Sequence, residues 1–503
     1  MPECIILTGD SLTISDVIAV SRDFASIEVD PAAAERADRS RKAVERMLAT
    51  GEAVYGINTG FGKLAGVRIP PDHLLQLQRN LILSHVAGVG EPLPVEVVRA
   101  AMLLRANVLL RETSGVRSVL ATHIATMLNA AIHPVVPEQG SVGASGDLAP
   151  LSHIAYGMMG EGIVVVGDED EGTVCAAADA LRDAGLEPIS FREKEALAFI
   201  NGTQVQTGML TLLVQEARDL WRTALGAAAM SLEALMGTPV PFDERIHAAR
   251  PHPGQVRAAA LMRDLLAGSQ IRESHRDDDY RVQDAYSLRC TPQILGPVAD
   301  AIEYAARVAE VELNASTDNP LVFGEEILSG GNFHGQPVAL ALDVLGIALA
   351  TLAGLAERRI DRLMNPDLSH GLPPFLTEDA GLNSGLMMAQ VTAAALVAEA
   401  RTLCTPASVQ SIPTDASQED VVPMGMAAAW KTQRVLANAR RVVAWELIAA
   451  AQGLEFRRPL APGRGAARVY ERVRQVVPKL EGDRPLTPDV ERLTALIVRE
   501  ALA

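Results

Sequence analysis

Apolar residues along this chain recur mostly at helical spacing, and the segments that they form are long. Alanine and leucine are abundant and runs of β-branched residues are short, a composition that favours helix over strand. Long helices that are apolar on more than one face pack into bundles, often between subunits. The pattern predicts helical segments at 32–50, 94–131 (broken near Ser114-Gly115), 195–236, 292–314, 337–363, 384–404 and 424–452.

The first predicted helix carries signals at both ends. Asp30 is a typical N-cap, Pro31 suits the first helical turn, and Gly51 is a typical stop. The only convincing strand signal is the short segment 162–167, which is centred on three consecutive valines. Helix therefore dominates the expected secondary structure.

The expected fold is mainly α, with a long central helical bundle shared between subunits. A small α+β region at the N-terminal side carries the glycine-rich loop around residue 145. We expect two domains, an N-terminal one at 1–190 and a long-helix domain at 191–503 that completes the active site. A chain of 503 residues is long enough for such a division.

Composition narrows the class of partner. The net charge is −17, and no cluster of lysine and arginine forms a basic stripe, which argues against nucleic acid and anionic membranes. The apolar stretch 338–356 is long enough to span a membrane, but Asp343 interrupts it and a buried helix is expected. The four cysteines are far apart, so we expect no zinc site, no disulfide and a cytoplasmic location.

The run Gly143-Ala144-Ser145-Gly146-Asp147 places three small residues before an acid. Because glycine tolerates tight backbone geometry, the Gly146 nitrogen can reach the Ala144 carbonyl carbon and close a five-membered ring with loss of water. Loss of the Ser145 hydroxyl then leaves an exocyclic methylene, an electrophile that unmodified side chains do not supply. Taken alone, the five residues favour an ordinary glycine-rich turn, because short motifs have many false positives.

Other loops hold residues that suit the same chemistry. Tyr55 lies in the glycine-dense segment 55–62, where taken alone it favours a packing role. Asn201 and Gly202 are poor helix formers inside a predicted helix, and such a broken rule often marks a functional site. An arginine can bind a carboxylate through its forked guanidinium. The further candidates are Gln283, Tyr286, Arg289, Phe333 and Glu419.

Together these segments resemble the aromatic amino acid ammonia-lyase family, in the family's order and over most of the chain. The resemblance implies a mainly α homotetramer whose active sites are each built from three subunits. It also implies that Ala144-Ser145-Gly146 cyclises to 4-methylidene-imidazol-5-one (MIO), with no pyridoxal phosphate and no metal. The matching stretches are 55–62, 140–153, 194–204, 245–255, 286–293, 316–337, 371–375 and 408–420.

The resemblance implies a role for each candidate. Tyr55 would be the base that removes a proton from the substrate's β carbon, so its site should favour phenolate over a phenol of pKa about 10. The MIO electrophile would make the substrate's amine a better leaving group. Asn201 would hold the ring carbonyl, and Asp147 would assist cyclisation. Arg289 would bind the substrate carboxylate, and Tyr286, Gln283 and Phe333 would position the substrate and the ring.

Two positions indicate which amino acid is the substrate. Ser84-His85 and Glu419 resemble the imidazole-specific members of the family, because a carboxylate can accept an imidazole N–H and would be unpaired against a phenyl ring. The resemblance implies conversion of L-histidine to trans-urocanate. Ser417 and Val421-Val422 depart from that pattern, and the two valines resemble the phenyl-specific branch. A tyrosine or phenylalanine ammonia-lyase, or an aromatic 2,3-aminomutase, is therefore the alternative.

Other classes fit the sequence less well. A pyridoxal-phosphate enzyme needs a Schiff-base lysine, and none of the five lysines lies in a phosphate-binding context. A serine hydrolase would use Ser145, but its surroundings are not the Gly-x-Ser-x-Gly elbow, and His153 nearby has no evident acid partner. A homologue without catalysis would be expected to have lost Tyr55 or the tripeptide, and both are intact.

Overall fold

The computed structural model describes residues 4–168, 171–277, 279 and 281–503. Helices dominate these residues. They are α1 Ile14–Ser21, α2 Pro31–Thr50, α3 Leu74–His85, α4 Val95–Leu109, α5 Val119–Asn129, α6 Leu148–Met158, α7 Ala177–Asp183, α8 Glu195–Ile200, α9 Gln204–Ala234, α10 Glu244–Ala248, α11 Pro253–Leu266, α12 Gln270–Glu273, α13 Tyr286–Arg289, α14 Thr291–Glu312, α15 Gln336–Met364, α16 Met387–Leu403, α17 Gly425–Glu455, α18 Arg464–Val476 and α19 Thr487–Arg499.

The strands of the described residues are short, three or four residues each. The parallel pair β1–β2 and the antiparallel pairs β3–β5 and β8–β9 are two-stranded, and β4, β6 and β7 form a three-stranded antiparallel sheet in the order 4-6-7. Their bounds are β1 Ile5–Leu7, β2 Ile27–Val29, β3 Val89–Pro92, β4 Ile132–Pro134, β5 Pro137–Gln139, β6 Ile163–Val166, β7 Thr173–Ala176, β8 Leu321–Phe323 and β9 Glu326–Leu328.

The described chain divides into two compact units, each made of discontinuous segments. Unit 1 comprises Met1–Leu212, Ala305–Asp343 and Pro406–Trp430, and unit 2 comprises Leu213–Tyr304, Val344–Thr405 and Lys431–Ala503. The two expected domains, 1–190 and 191–503, are each a continuous stretch of sequence, whereas these units are defined by contacts and combine separate segments. The expected domain boundary stays a prediction.

Most predicted helices are present with nearly the expected ends. Helix α2 begins after Asp30, whose side chain accepts the amide N–H groups of Ala32 and Ala33, and it ends at Gly51 with φ 71°. The predicted segment 94–131 forms α4 and α5, with the expected break between them. The mainly α prediction is confirmed.

Helix α15 contains the apolar stretch that the sequence predicts to be buried. It is the one helix of the described residues that is long and apolar enough to cross a membrane. Of its most apolar window, 67% is buried inside the protein, as expected of a core helix. The core-helix interpretation therefore accounts for this stretch.

The predicted helix at 195–236 is wrong in one respect. It is two helices, α8 and α9, separated at residues 201–203. Asn201 is extended, and Gly202 has a φ of 153°. A Cβ on Gly202 would lie 2.7 Å from the Thr317 hydroxyl, so only glycine fits this crowded break. The break positions the candidate site.

Candidate active site

The Ala-Ser-Gly segment forms a tight turn just before α6. Gly143 and Gly146 pair across the turn in an isolated antiparallel bridge, with φ angles of 79° and 74°. A Cβ on Gly146 would lie 2.2 Å from the carbonyl oxygen of Gly202, a distance that no real side chain tolerates. Ala144 is buried in the middle of the turn. Glycine at 146 is therefore required by both conformation and space.

The break between α8 and α9 holds this turn from one side. The side-chain amide of Asn201 donates a hydrogen bond of 2.7 Å to the carbonyl oxygen of Ser145. The backbone N–H of Asp147 donates a bond of 2.7 Å to the Gly202 carbonyl, and Gly146 and Gly202 form a parallel bridge. The Ser145 carbonyl is thus fixed and polarised by a buried donor.

Asp147 joins the turn to the start of α9. Its fully buried carboxylate accepts the backbone N–H groups of Val205 and Gln206, both at 2.9 Å, and the Ser141 hydroxyl at 2.9 Å. An acid at this place satisfies free N–H groups of the helix and interacts favourably with its dipole. Burial nevertheless raises the pKa of Asp147 to about 6, against the lowering effect of its hydrogen bonds.

Arg105 supports the same break from within α4. Its guanidinium donates to the carbonyl oxygens of Ala198, at 2.8 Å, and Asn201, at 3.3 Å, and also to the side chain of Gln204. Burial lowers the pKa of Arg105 to about 10, so the group is a buried cation at neutral pH. We did not predict Arg105, because α4 also contains a second buried arginine, Arg99, and no local signal separates the two.

Tyr55 lies in the predicted glycine-rich loop. Its phenolic oxygen accepts the backbone N–H of Gly62 at 3.3 Å. Burial raises the pKa of Tyr55, and the carboxylates of Asp415 and Glu419 raise it further, while the Gly62 hydrogen bond lowers it. The single chain thus favours phenol, and the expected preference for phenolate is not met by its described residues alone.

Glu419 lies directly beside Ser145. The Ser145 hydroxyl donates to Oε1 of Glu419, and the Thr414 hydroxyl donates to its Oε2. The backbones of Thr414 and Glu419 also pair, through hydrogen bonds of 3.0 and 3.3 Å. The two predicted residues are 274 positions apart in sequence, and the fold brings them into direct contact.

His85 ends α3 in unit 1. Its Nδ1 lies 2.8 Å from the Leu81 carbonyl oxygen and 3.0 Å from the Ser84 hydroxyl. Burial lowers the pKa of His85, while the carboxylates of Glu419 and Asp415 raise it. The imidazole is therefore kept mainly neutral, with Nδ1 bonded to its own helix.

Phe333 lies half-buried in the loop between β9 and α15. Its neighbours tie that loop to the rest of the site. The backbone N–H of Gly335 donates to the Gly143 carbonyl at 3.0 Å, and His334 Nε2 lies 3.1 Å from the Val421 carbonyl oxygen. The packing of the Phe333 ring against the prosthetic group stays a prediction.

The remaining three candidates belong to unit 2. Tyr286 and Arg289 begin and end α13, and the Arg289 guanidinium carbon lies 4.5 Å from the centre of the Tyr286 ring. Tyr286 is 68% exposed, unusually open for a large aromatic side chain. Gln283 and Arg289 line a cleft of about 540 Å³ together with Arg272 and Arg281. The three candidates thus lie close together within unit 2, and their part in an active site stays a prediction.

The described residues hold no group of three or more His, Cys, Asp or Glu side chains placed to bind a metal ion. No disulfide joins any two of the four cysteines, all of which are among the described residues. The site of unit 1 is instead built around a tight glycine turn, whose Ser145 carbonyl accepts a side-chain amide and whose Ser145 hydroxyl donates to a carboxylate.

Comparisons with known proteins identify the family. The model of the aromatic amino acid lyase family matches residues 12–475, and the chain belongs to this family. It is 50% identical to histidine ammonia-lyase of Koribacter versatilis (strain Ellin345), with 99% of this chain and 98% of that protein covered. The resemblance identified from the sequence motifs is confirmed.

Solved structures give the same result for the fold. The histidine ammonia-lyase of Trypanosoma cruzi has a TM-score of 0.91 and 42% identity, with 99% of this chain and 94% of that chain covered. The tyrosine aminomutase of Streptomyces globisporus has a TM-score of 0.93 and 39% identity, with 99% and 97% covered. The fold is therefore shared by relatives with different reactions.

Proposed function

We propose that the protein eliminates ammonia from L-histidine to give trans-urocanate. The observation that carries the proposal is 50% identity, over nearly the whole of both chains, to a protein named histidine ammonia-lyase. The direct contact between Glu419 and Ser145 supports it, since it places an acceptor for an imidazole N–H at the reactive turn. The enzyme would be a carbon–nitrogen lyase of the cytoplasm, a compartment in which cysteines such as these four stay out of disulfides.

The reactive group would be MIO, formed from Ala144-Ser145-Gly146. The Gly146 nitrogen would bond to the Ala144 carbonyl carbon, and that carbonyl oxygen would leave as water with the N–H hydrogens of Gly146 and Ser145. The Ser145 hydroxyl would leave as a second water with the hydrogen of its own Cα. The turn fits this closure, because Gly146 lacks room for a Cβ and Asn201 already holds the carbonyl that becomes part of the ring.

When formed, MIO supplies an electrophile that makes the substrate's amino group a better leaving group. The side chains around it would do the remaining work. Tyr55 would take the β proton of the substrate, and Asn201 would stabilise negative charge on the Ser145 carbonyl oxygen. Glu419 would bind the imidazole, with His85 beside it. No metal and no pyridoxal phosphate enter this proposal.

We propose that the protein is a homotetramer with active sites shared between subunits. Arg289 would bind the carboxylate of the substrate, and Tyr286 and Gln283 would position the substrate, in a site whose Tyr55 comes from another chain. Phe333 would pack against MIO. The exposure of the Tyr286 ring is compatible with this arrangement, since it leaves the side chain accessible to a neighbouring subunit.

A substrate panel tests the proposed reaction. We expect L-histidine to give an ultraviolet-absorbing product that chromatographs as trans-urocanate, and L-phenylalanine to give little or none. Coumarate or a β-amino acid from L-tyrosine, with no product from L-histidine, would instead assign the alternative activity. The 39% identity to a tyrosine aminomutase makes that arm of the panel necessary.

Intact mass tests the prosthetic group independently of the substrate. We expect the purified chain to weigh two waters less than its sequence. The matched control is Ser145→Ala, which lacks the hydroxyl and cannot form the methylene. A wild-type chain of full mass would refute MIO, whatever the substrate panel shows.

A further inference from the structure

The carboxylate of Glu419 has two oxygens with different partners. Oε1 accepts the hydroxyl of Ser145, and Oε2 accepts the hydroxyl of Thr414. Ser145 belongs to the segment that would cyclise, whereas Thr414 belongs to the same loop as Glu419. The Oε2 bond is therefore available before and after any change at the tripeptide.

The backbone fixes the distance between Thr414 and Glu419. Their main chains exchange two hydrogen bonds, and the three residues Asp415, Ala416 and Ser417 close the loop with left-handed φ angles of 48°, 51° and 65°. The loop is continued by Val422, whose N–H donates to the Ser411 hydroxyl at 2.9 Å. A side chain at 414 is thus held at one place relative to the carboxylate.

Ring formation would change the hydrogen-bond partner of Oε1 and leave that of Oε2 in place. Loss of the second water removes the Ser145 hydroxyl and with it the donor to Oε1. The Glu419 carboxylate then has one oxygen held by Thr414 and one oxygen that can accept a new hydrogen bond at the reactive turn. A hydroxyl bonded to a carboxylate makes a strong, charge-assisted hydrogen bond, so this bond can hold the orientation of the group.

We propose that Thr414 is a positioning residue for substrate selection. It holds Oε2 so that Oε1 faces the imidazole N–H of the substrate, and loss of the Ser145 hydroxyl on maturation frees Oε1 for that bond. This inference rests on the proposed function, because it takes an imidazole as the group that Glu419 binds. Thr414 touches neither the substrate nor the ring.

The test compares Thr414→Val, which keeps the shape and removes the donor, with Thr414→Ser, which keeps the donor. We expect Thr414→Val to raise KM for L-histidine about tenfold to a hundredfold, with a smaller effect on kcat. Thr414→Ser should stay within about threefold of wild type. Intact mass should show the loss of two waters in both variants, and both should melt near the wild-type temperature.

A binding experiment tests the role of Thr414 without relying on turnover. In the Ser145→Ala background, which cannot form the methylene and leaves Oε1 without the Ser145 hydroxyl as donor, trans-urocanate is titrated by calorimetry. Adding Thr414→Val should weaken binding by the same factor as the KM change, and adding Thr414→Ser should not. Equal binding by both double variants, or a Thr414→Val chain of full mass, would overturn the inference. Absence of urocanate production by the wild type would refute the proposed function itself.

Discussion

Two loops meet at Ser145, and they are built in opposite ways. The tripeptide cradle, residues 141–147 with 201–206, is buried, and its acid Asp147 is fully enclosed. The selection loop, residues 411–420, is mostly exposed and contains three consecutive left-handed residues. The cradle would supply the chemistry, and the selection loop would supply the contact that chooses a substrate.

The cradle is also held by more hydrogen bonds per polar group than the selection loop. In the cradle, Asp147 accepts from two backbone N–H groups and the hydroxyl of Ser141, and Arg105 supports the facing backbone. In the selection loop, the carboxylate of Glu419 is held by two hydroxyls. A cradle with several bonds to each group resists change, whereas a loop with one bond per oxygen can be altered locally.

The departures from the imidazole-specific pattern all fall in or directly after the selection loop, and none falls in the cradle. Ser417 lies in the selection loop and Val421-Val422 directly follow it, while the tripeptide and its flanks match the family. A family that shares one reaction and varies its substrate would be expected to vary here. The comparison therefore predicts severe effects from cradle substitutions and graded effects from loop substitutions.

The largest effect is expected from Asp147→Ala in the cradle. The change removes a buried acceptor of two helix N–H groups, so we expect the free energy of unfolding to fall by about 2–4 kcal/mol. The turn should also lose its closed geometry, so intact mass should show the full weight and activity should be undetectable. Chemical denaturation and mass spectrometry measure the two outcomes.

Asp183→Ala is the matched control for that change, because Asp183 is an exposed acid at the end of α7. It should alter stability by no more than about 0.5 kcal/mol and leave the mass change intact. If the Asp147→Ala chain still lost two waters completely, ring formation would not depend on the hydrogen bonds that Asp147 accepts. The contrast between the two loops would then be wrong.

The next effect is expected from Tyr55→Phe, which removes the proposed base and leaves the cradle untouched. Activity should fall about a hundredfold to ten-thousandfold, while the chain still loses two waters. Arg289→Met should be similarly inactive. Full activity in Tyr55→Phe would exclude the phenol as the base.

Mixing these two variants tests whether sites are shared. If Tyr55 and Arg289 of one site come from different chains, co-expressed and doubly tagged hybrids should have both native residues in about a quarter of their sites. Their activity should rise well above that of either parent. Hybrids as inactive as the parents would show that each chain completes its own site.

Much of this structure could be predicted from the chain. The ends of α2 follow from Asp30 and Gly51, because caps are local chemistry. The sequence motifs also point to Ser145, Asn201 and Glu419, which the fold brings into contact within unit 1. They carry uncommon side chains in glycine-rich or helix-breaking contexts, which is a signal visible in sequence.

The parts that could not be predicted depend on contacts between distant segments. Strands of three or four residues are too short to show a period, so β8 and β9 gave no signal. Arg105 supports the break through hydrogen bonds to the carbonyl oxygens of Ala198 in α8 and Asn201 directly after it, 93 and 96 residues away in sequence. Thr414 is an ordinary loop residue until its hydroxyl is seen to face Glu419. No local sequence pattern indicates the role of Arg105 or of Thr414.

The smallest expected effect comes from Asp415→Asn in the selection loop. The Asp415 carboxylate raises the pKa of Tyr55, so removing its charge should lower that pKa. A base acts in its deprotonated form, and the ascending limb of kcat/KM against pH should therefore move to lower pH, by about half a unit to one unit. Asparagine keeps an oxygen for the Lys63 N–H, which donates to Asp415 at 3.0 Å.

Asp420→Asn is the matched control, since Asp420 is an exposed acid in the same loop and is not among the groups that shift the pKa of Tyr55. Its pH profile should superimpose on that of the wild type. An ascending limb that stays in place in Asp415→Asn, or moves to higher pH, would show that this limb reports a group other than Tyr55. A shift confined to Asp415→Asn would show that the selection loop, although exposed and loosely held, also tunes the base that the cradle chemistry needs.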